Sequence, residues 1–306
     1  MGAFLVRRLL ATIPVVWILL TLVFALVHLV PGDPVAQMLG EGASVTEVER
    51  LRRALGLDRP LIEQYATYMR DLARLDLGVS FRNQEPVLTS IRTRYPATIR
   101  LALAALGFSL LIAVPLGVVA ALRKGRSADH AIGVFTLVGV SLPNFVLGPL
   151  FILLFAIGLG WLPVSGSGTL MHLILPAVTL GSAIAAITTR MVRSSILEEI
   201  GQDYVRTARA KGLSERRVVL KHALRNGMIP LLTIVGLQFG TLLAGAIVTE
   251  IIFSWPGLGR LMVQAIYARD YPLVQGCILS VALTYILVNF LTDLAYMGAD
   301  PRIRYE

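Results

Sequence analysis

The residues of this chain able to do chemistry fall into two groups, and neither is a catalytic set. The first is a basic cluster, MVRSSILEEIGQDYVRTARAKGLSERRVVLKHALRNG over residues 191–227, which together with Arg190 carries nine Lys and Arg side chains. The second is a sparse set of polar groups embedded in long apolar runs: Gln238, Thr241, Thr249, Glu250, Asn289 and Asp293. His28, His130, His172 and His222 stand far apart, with no Cys or acidic residue at metal-ligand spacing, so no metal site is expected. The single cysteine, Cys277, excludes an intramolecular disulfide. No Gly-rich phosphate loop ending in Gly-Lys-Ser/Thr is present, and no nucleophile stands with a base and an acid. The expectation is therefore a non-enzyme that binds no cofactor directly and works by docking and by lining a path.

Such residues need elements to carry them. The 306 residues are 56% hydrophobic and 15% charged, where soluble domains carry about 25% charge. That surplus of apolar surface calls for a bilayer, which a helix crosses with about 20 apolar residues. Six runs qualify: Leu9–Val30, Ile99–Leu122, a run from Ala131 ending between Phe155 and Leu159, Leu173–Thr189, Met228–Ile252 and Leu273–Met297. The third contains Pro143 and Pro149 and reads as one kinked helix with a re-entrant or interfacial tail ending at Trp161. The first follows Arg7 and Arg8, but its apolar core is too long for a cleaved signal and no small-x-small site precedes Pro31. The fold class expected is an all-α membrane protein of six transmembrane helices.

Lys and Arg in short loops set the orientation. Arg7, Arg8, Arg123, Lys124, Arg126, the 190–225 cluster, Arg302 and Arg304 all fall on one side when both termini are cytoplasmic. The short loops opposite hold only Arg260 and Arg269. The net charge of +9 is thus a topology signal, and no nucleic-acid-binding module accompanies it. The expected organisation is a tail and first helix at 1–30, a periplasmic segment at 31–98, and a core at 99–306 with five helices and a cytoplasmic loop at 190–228. Within the periplasmic segment, Val45–Leu55 reads as a helix capped by Ser44 or Thr46. Pro60–Leu75 reads as a second, with Leu61, Tyr65, Tyr68, Met69 and Leu72 on one face for packing or for docking.

The basic loop reads as a helix to Lys211, a turn at Gly212, and a second helix with Ser214 as N-cap and Glu215 in its first turn. Arg217, Lys221 and Arg225 recur at i, i+4 beside an apolar side of Val219, Leu220, Ala223 and Leu224. A segment of this kind either lies on lipid headgroups or protrudes into a cytoplasmic partner. In the fifth span Gly236, Gly240 and Ala244 form a small-residue stripe, while Gln238, Thr241, Gly245 and Thr249 fall on the opposite side. The polar stripe either lines a substrate path or bonds between helices. Small stripes also run along Ser109, Ala113, Gly117 and Ala121, and along Ala177, Gly181, Ala185 and Thr189. Tyr285, Asn289 and Asp293 stack along the sixth span, with Asn289 a path candidate and Asp293 either an anchor to a basic loop residue or part of the path. Glu250, near the outer end of the fifth span, is placed to meet an external partner.

These stretches carry a resemblance. Tyr204-Val-Arg-Thr-Ala-Arg-Ala-Lys-Gly212-Leu with Leu224-Arg-Asn-Gly-Met-Ile-Pro230 resembles the cytoplasmic signature loop of ABC importer permeases, in the form found in the dipeptide and oligopeptide permease family. Anchored on Gly212, the pattern's Glu-Ala-Ala falls on Arg206, Thr207 and Ala208, and its later Ile, Leu and Pro on His222, Leu224 and Arg225. The general pattern's Glu, first Ala, Ile and Pro are absent, as in the peptide branch. Val30-Pro-Gly-Asp-Pro-Val35, Leu55-Gly-Leu-Asp-Arg-Pro60, Phe253-Ser-Trp-Pro-Gly-Leu-Gly-Arg260, Arg269-Asp-Tyr-Pro272 and Pro301-Arg-Ile-Arg-Tyr305 resemble the same branch, the first of them pointing to its B-type subunit. The resemblance implies a type I ABC importer permease of the bacterial inner membrane, paired with a second homologous permease as a heterodimer. It implies two cytoplasmic ATPase subunits that hold ATP and Mg, and an extracytoplasmic binding protein that delivers small peptides, with glutathione or nickel chelates as other cargoes of the family. It further implies that Arg206, Thr207, Ala208, Arg209, Gly212, Ser214, Glu215, Arg216 and Arg217 form the helix that couples to an ATPase.

Overall fold

The computed structural model describes residues 2–29, 35, 44–54 and 56–299. In chain order its helices are α1 (Gly2–Leu29), α2 (Val45–Ala54), α3 (Leu61–Ala73), α4 (Val87–Leu122), α5 (Ser127–Ser141) and α6 (Asn144–Phe151). Then come α7 (Met171–Ile200), α8 (Asp203–Ala210), α9 (Glu215–Arg217), α10 (Leu224–Gly227), α11 (Ile229–Ile252), α12 (Leu258–Tyr267) and α13 (Tyr271–Ala299). Two stretches are wound as π-helix, Ile152–Gly158 after α6 and Val218–Ala223 between α9 and α10. The Pro31–Pro34, Leu55 and Pro301–Tyr305 parts of the resemblance lie outside the described residues.

Among the described residues four helices are long and apolar enough to cross a membrane: Val87–Leu122, Met171–Ile200, Val235–Ile252 and Tyr271–Ala295. A fifth span is Ser127–Ser141 with Asn144–Gly158, if that pair, bent by 105°, is counted as one. The apolar part of α1, Leu10–Ala25, is shorter. The kink expected in the third run is thus a full break. Leu142 is extended (ψ 116) because the following Pro143 disfavours the helical conformation before it. The second run also begins earlier than expected. Its helix opens at Val87, inside the segment assigned to the exterior, and runs for 36 residues.

By contacts the chain forms two units. The first comprises residues 1–96 and 257–286. Ser44 opens α2 as a capping box: its hydroxyl accepts from the Glu47 N–H at 3.3 Å, and the Glu47 carboxylate accepts from the Ser44 N–H at 2.9 Å. The Ser44 hydroxyl, donating to the same carboxylate at 2.7 Å, and then the Ser44 N–H hold the Glu47 carboxyl below its usual range. On α3 the aromatic face packs on α1, with Phe24 to Tyr65 at 5.2 Å edge-on, Phe24 to Tyr68 at 5.6 Å, and the Tyr65 hydroxyl 2.8 Å from that of Thr21. The packing role expected for this face is therefore met, while Leu61 stays exposed. The Tyr68 hydroxyl is buried without a partner among the described residues, and burial pushes it up to about 12. A core of Val87, Ile91, Leu258, Leu261, Leu273 and Cys277 joins the first turns of α4 to α12 and α13. A Cβ on Gly276 would sit 2.5 Å from Val87 Cγ1, so only glycine allows this approach.

The second unit comprises residues 97–256 and 287–306. Here α4 and α7 meet through glycine: a Cβ on Gly117 would lie 2.6 Å from Val192 Cβ, and one on Gly181 2.6 Å from the Ala105 carbonyl. Gly236 of α11 has the same relation to the Thr292 side chain. The small-residue stripes of the three spans thus act in close helix packing at these positions, whereas Ala244 is exposed. Beyond α11, Phe253 is 1% and Trp255 4% exposed, and the indole N–H donates to the Ala97 carbonyl at 2.9 Å. Ser254 between them has φ +50, a left-handed conformation that costs a non-glycine residue about 1–2 kcal/mol and is held here by the two buried rings.

Candidate functional site

The basic segment builds a compact hairpin. α7 does not stop at the end of the fourth apolar run but continues through Met191 to Ile200, where Gly201 and Gln202 break it. This break adds to the one expected at Gly212. Glycine at 201 weakens the helix, and Asp203 then supplies a negative charge to the first turn of α8. After Ala210 the chain turns at Gly212 with φ +77, as a glycine helix stop requires. Ser214 occupies the N-cap position of α9 with extended backbone, yet its side chain caps nothing. Its carbonyl accepts from the N–H groups of Arg217 and Val218 at 2.9 and 3.0 Å. The expected side-chain cap is replaced by a clasp across the turn. The Arg209 guanidinium donates to Glu215 twice, from Nη2 at 2.6 Å and from Nε at 3.1 Å. The clasp holds the Glu215 carboxyl below its usual range and raises Arg209. The two side chains are 38% and 55% exposed, so the pair contributes at most about 1 kcal/mol.

Inside the hairpin Val205, Ala208 and Val218 are buried, with Leu213 against them. Of the residues assigned to coupling, Ala208 therefore belongs to this small core. Arg206, Thr207, Arg209, Gly212, Ser214, Glu215, Arg216 and Arg217 are all exposed. The π winding of Val218–Ala223 shifts the register after α9, so Arg217, Lys221 and Arg225 do not form the straight row that α-helical spacing suggested. Val218, Val219 and Ala223 turn inward and Leu220 is left 48% exposed, which corrects the apolar side expected there. The rear of the hairpin is fixed to α7. Ser195 Oγ donates to the Gly227 carbonyl at 2.8 Å, and a Cβ on Gly227 would lie 3.2 Å from that oxygen. The Tyr204 hydroxyl donates to the Glu199 carboxylate, and its pKa is raised by burial first and by that carboxylate second.

The polar residues of α11 do not share one environment. Thr241 is exposed and donates to Gln238 Oε1 at 2.9 Å and to the Gln238 carbonyl at 2.8 Å, so these two form one polar patch. Gly245 packs closely, with a Cβ there 3.1 Å from Leu180 Cδ1. Thr249 is wholly buried and donates to the Gly245 carbonyl at 3.3 Å. Asn289 of α13 is half-buried, as is Asp293. Glu250, expected to face an outside partner, is instead 0% exposed, and Thr98 Oγ1 donates to its carboxylate at 2.6 Å. A buried carboxylate needs such partners, and Thr98 supplies one from α4.

Two arrangements escaped the sequence reading. Asp270, 1% exposed, accepts from the Ser80 hydroxyl at 2.5 Å, from the Phe81 N–H at 3.1 Å and from the Leu273 N–H at 3.4 Å. An Asp two residues before Pro at a helix start is an N-cap signal legible in Arg269-Asp-Tyr-Pro272. Asp129 accepts from Arg193 Nε and Nη2 at 2.7 and 2.8 Å and from the Gly125 N–H at 2.9 Å, binding α5 to α7. No short-range spacing marks that pair, since 64 residues separate its members.

A long-helix membrane chain with a presented basic hairpin has counterparts. Residues 113–305 match the family described as "Binding-protein-dependent transport system inner membrane component", and residues 1–102 match "Binding-prot-dependent transport system membrane comp, N-term". The chain is 46% identical over 336 residues to the di/tripeptide transport system permease protein DppB of Pseudomonas aeruginosa, covering 100% of both. It is 43% identical over 303 residues to the glutathione transport system permease protein GsiC of Escherichia coli K12, covering 99% of both. Among solved structures, an inward-facing MetNI methionine ABC transporter aligns with a TM-score of 0.58 at 20% identity, over 71% of this chain and 99% of that one. An amino acid ABC transporter aligns at 0.53 and 16%, over 69% and 94%. Those two likenesses speak for the fold, that of type I ABC importer permeases. The chain belongs to the binding-protein-dependent transport inner membrane component family, as a multi-pass, non-catalytic permease subunit of an ABC importer whose ATP hydrolysis resides in separate subunits.

Proposed function

We propose that the chain is the B-type permease of an importer for di- and tripeptide-sized substrates, glutathione included, and that its basic hairpin is the element through which an ATPase drives it. The observation that carries the coupling reading is the clasped turn. Arg209 and Glu215 close it, Gly212 allows it, and Arg206, Arg216 and Arg217 stand out from it with exposed charge. A loop that only rested on headgroups would need no such fixed geometry. The cargo reading rests on the two relatives, whose named substrates share a short peptide-like zwitterion, and on the neutral character of Gln238, Thr241 and Asn289. Amide and hydroxyl groups bond peptide carbonyl and N–H groups without selecting a side-chain charge. Gly245 and Thr249 support that stripe from within the helix packing. In this reading the chain pairs with a second, homologous permease, two ATPase subunits hold ATP and Mg below, and a binding protein delivers substrate from outside.

The test is a reconstituted importer carrying Gly212→Val, or Arg216→Glu with Arg217→Glu. The expected outcome is an assembled complex whose substrate-stimulated ATP hydrolysis falls about tenfold or more, a loss of coupling near 1.4 kcal/mol. Undiminished stimulation in an intact complex refutes the coupling assignment. Separately, uptake of a labelled dipeptide should drop in Gln238→Leu while ATP hydrolysis persists. Uptake at the original rate makes the stripe a packing feature.

A further inference from the structure

A hollow of about 520 Å³ opens between α5 and α7 in the second unit, and no part of the transport reading uses it. Its two ends differ chemically. His130, in the first turn of α5, and Arg190, just past the apolar part of α7, stand at the basic end. One to two turns further along α5 its wall is Gly133, Val134 and Leu137, and the last two are 63% and 61% exposed. The charge of Arg193 is already matched by Asp129, which binds it with two bonds. Arg190 is exposed and forms no ion pair among the described residues. Gly133 has no atom within 4 Å of the place a Cβ would take, so the slot beside it is open space.

An occupant must therefore bring an anion to Arg190 and a hydrocarbon to the wall. A phospholipid with an anionic headgroup brings both in one molecule, and basic hollows between membrane helices on the cytoplasmic side suit such headgroups. A helix from another subunit would cover Val134 and Leu137 but would leave Arg190 without a counter-ion unless an acid happened to lie opposite. We propose that this hollow binds an anionic phospholipid of the cytoplasmic leaflet, its phosphate at Arg190 and an acyl chain along Gly133, Val134 and Leu137.

The experiment uses the importer complex purified with its partner subunits, incorporated into bilayers of phosphatidylglycerol and phosphatidylethanolamine, with retained lipid counted by native mass spectrometry. Phosphatidylglycerol should be retained selectively, about fivefold less in Arg190→Gln, the loss expected of one basic contact at the membrane surface. Gly133→Phe, which enters open space, should expel it while the complex stays assembled. Excess inorganic phosphate should leave the bound lipid in place, since the acyl chain contributes to its hold. Equal retention of both lipids, unchanged retention in both variants, or displacement by phosphate alone overturns the proposal. Dissociation of the complex by Gly133→Phe overturns it too, because a partner subunit would then be what covers the wall.

Discussion

Asp270 receives the Ser80 hydroxyl and an N–H from the start of α13 in buried bonds, and two N–H groups of the 80–82 turn in part-buried ones. Removing the carboxylate leaves several donors buried and unmatched, each costing about 1–3 kcal/mol. Asp270→Ala is therefore expected to lower the thermal midpoint of the purified complex sharply, by about 2–4 kcal/mol of stability. Tyr68 is the opposite case. Its hydroxyl has no partner among the described residues, so Tyr68→Phe should leave the midpoint unchanged or raise it. A fall of the midpoint in Tyr68→Phe would mean that the hydroxyl is engaged in the assembled importer. The sequence marked Ser44 or Thr46 as a cap, because a hydroxyl residue just ahead of acids in a first turn is a local code. It did not mark Ser80 and Asp270 as partners, because they are 190 positions apart in the chain.

At the scale of elements, the hairpin is joined to the membrane helices through α7, and the join is tight at Gly227. Gly227→Val would force the Ser195 contact open, so it is expected to uncouple ATP hydrolysis from substrate even though no outward-facing group changes. If Gly227→Val couples normally, the hairpin moves independently of α7 and the rigid join is irrelevant. Helix existence was legible wherever apolar runs were long, and boundaries were less so. Val87 begins α4 early because the turns before residue 99 are amphipathic and packed on α12 and α13 rather than apolar throughout. The break at Gly201 had a local signal, glycine followed by Asp203, whereas the π winding after Arg217 has no spacing signature, since it depends on how the hairpin closes over Val205 and Val218.

For the molecule as a whole, membrane topology is the property that composition determines most directly, through the side on which Lys and Arg collect. Single cysteines at Asn83 or Ser167 should react with an impermeant thiol reagent added to intact cells, and cysteines at Ser127 or Ser214 only after permeabilisation. These four positions are exposed, whereas Ser80 would be a poor probe because it is fully buried. Labelling of Ser214→Cys from outside would invert the orientation and remove the hairpin from any ATPase. The family and the importer fold were legible across the whole length, because motif residues sit at chain turns with strict backbone demands, such as Gly212 and Ser254. Cargo was not, since the path candidates Gln238, Thr241 and Asn289 are neutral and chemically undemanding.

The glycine contacts have an evolutionary consequence. At Gly117, Gly181, Gly236 and Gly276 a single carbon atom would collide with backbone or side chain. Every one-nucleotide missense change of a glycine codon introduces that carbon, so no neighbouring codon offers a gentle intermediate. Lineages diverging from this sequence can vary the lipid-facing residues freely, but at these positions change must await a compensating substitution such as a smaller residue at Val192, Thr292 or Val87.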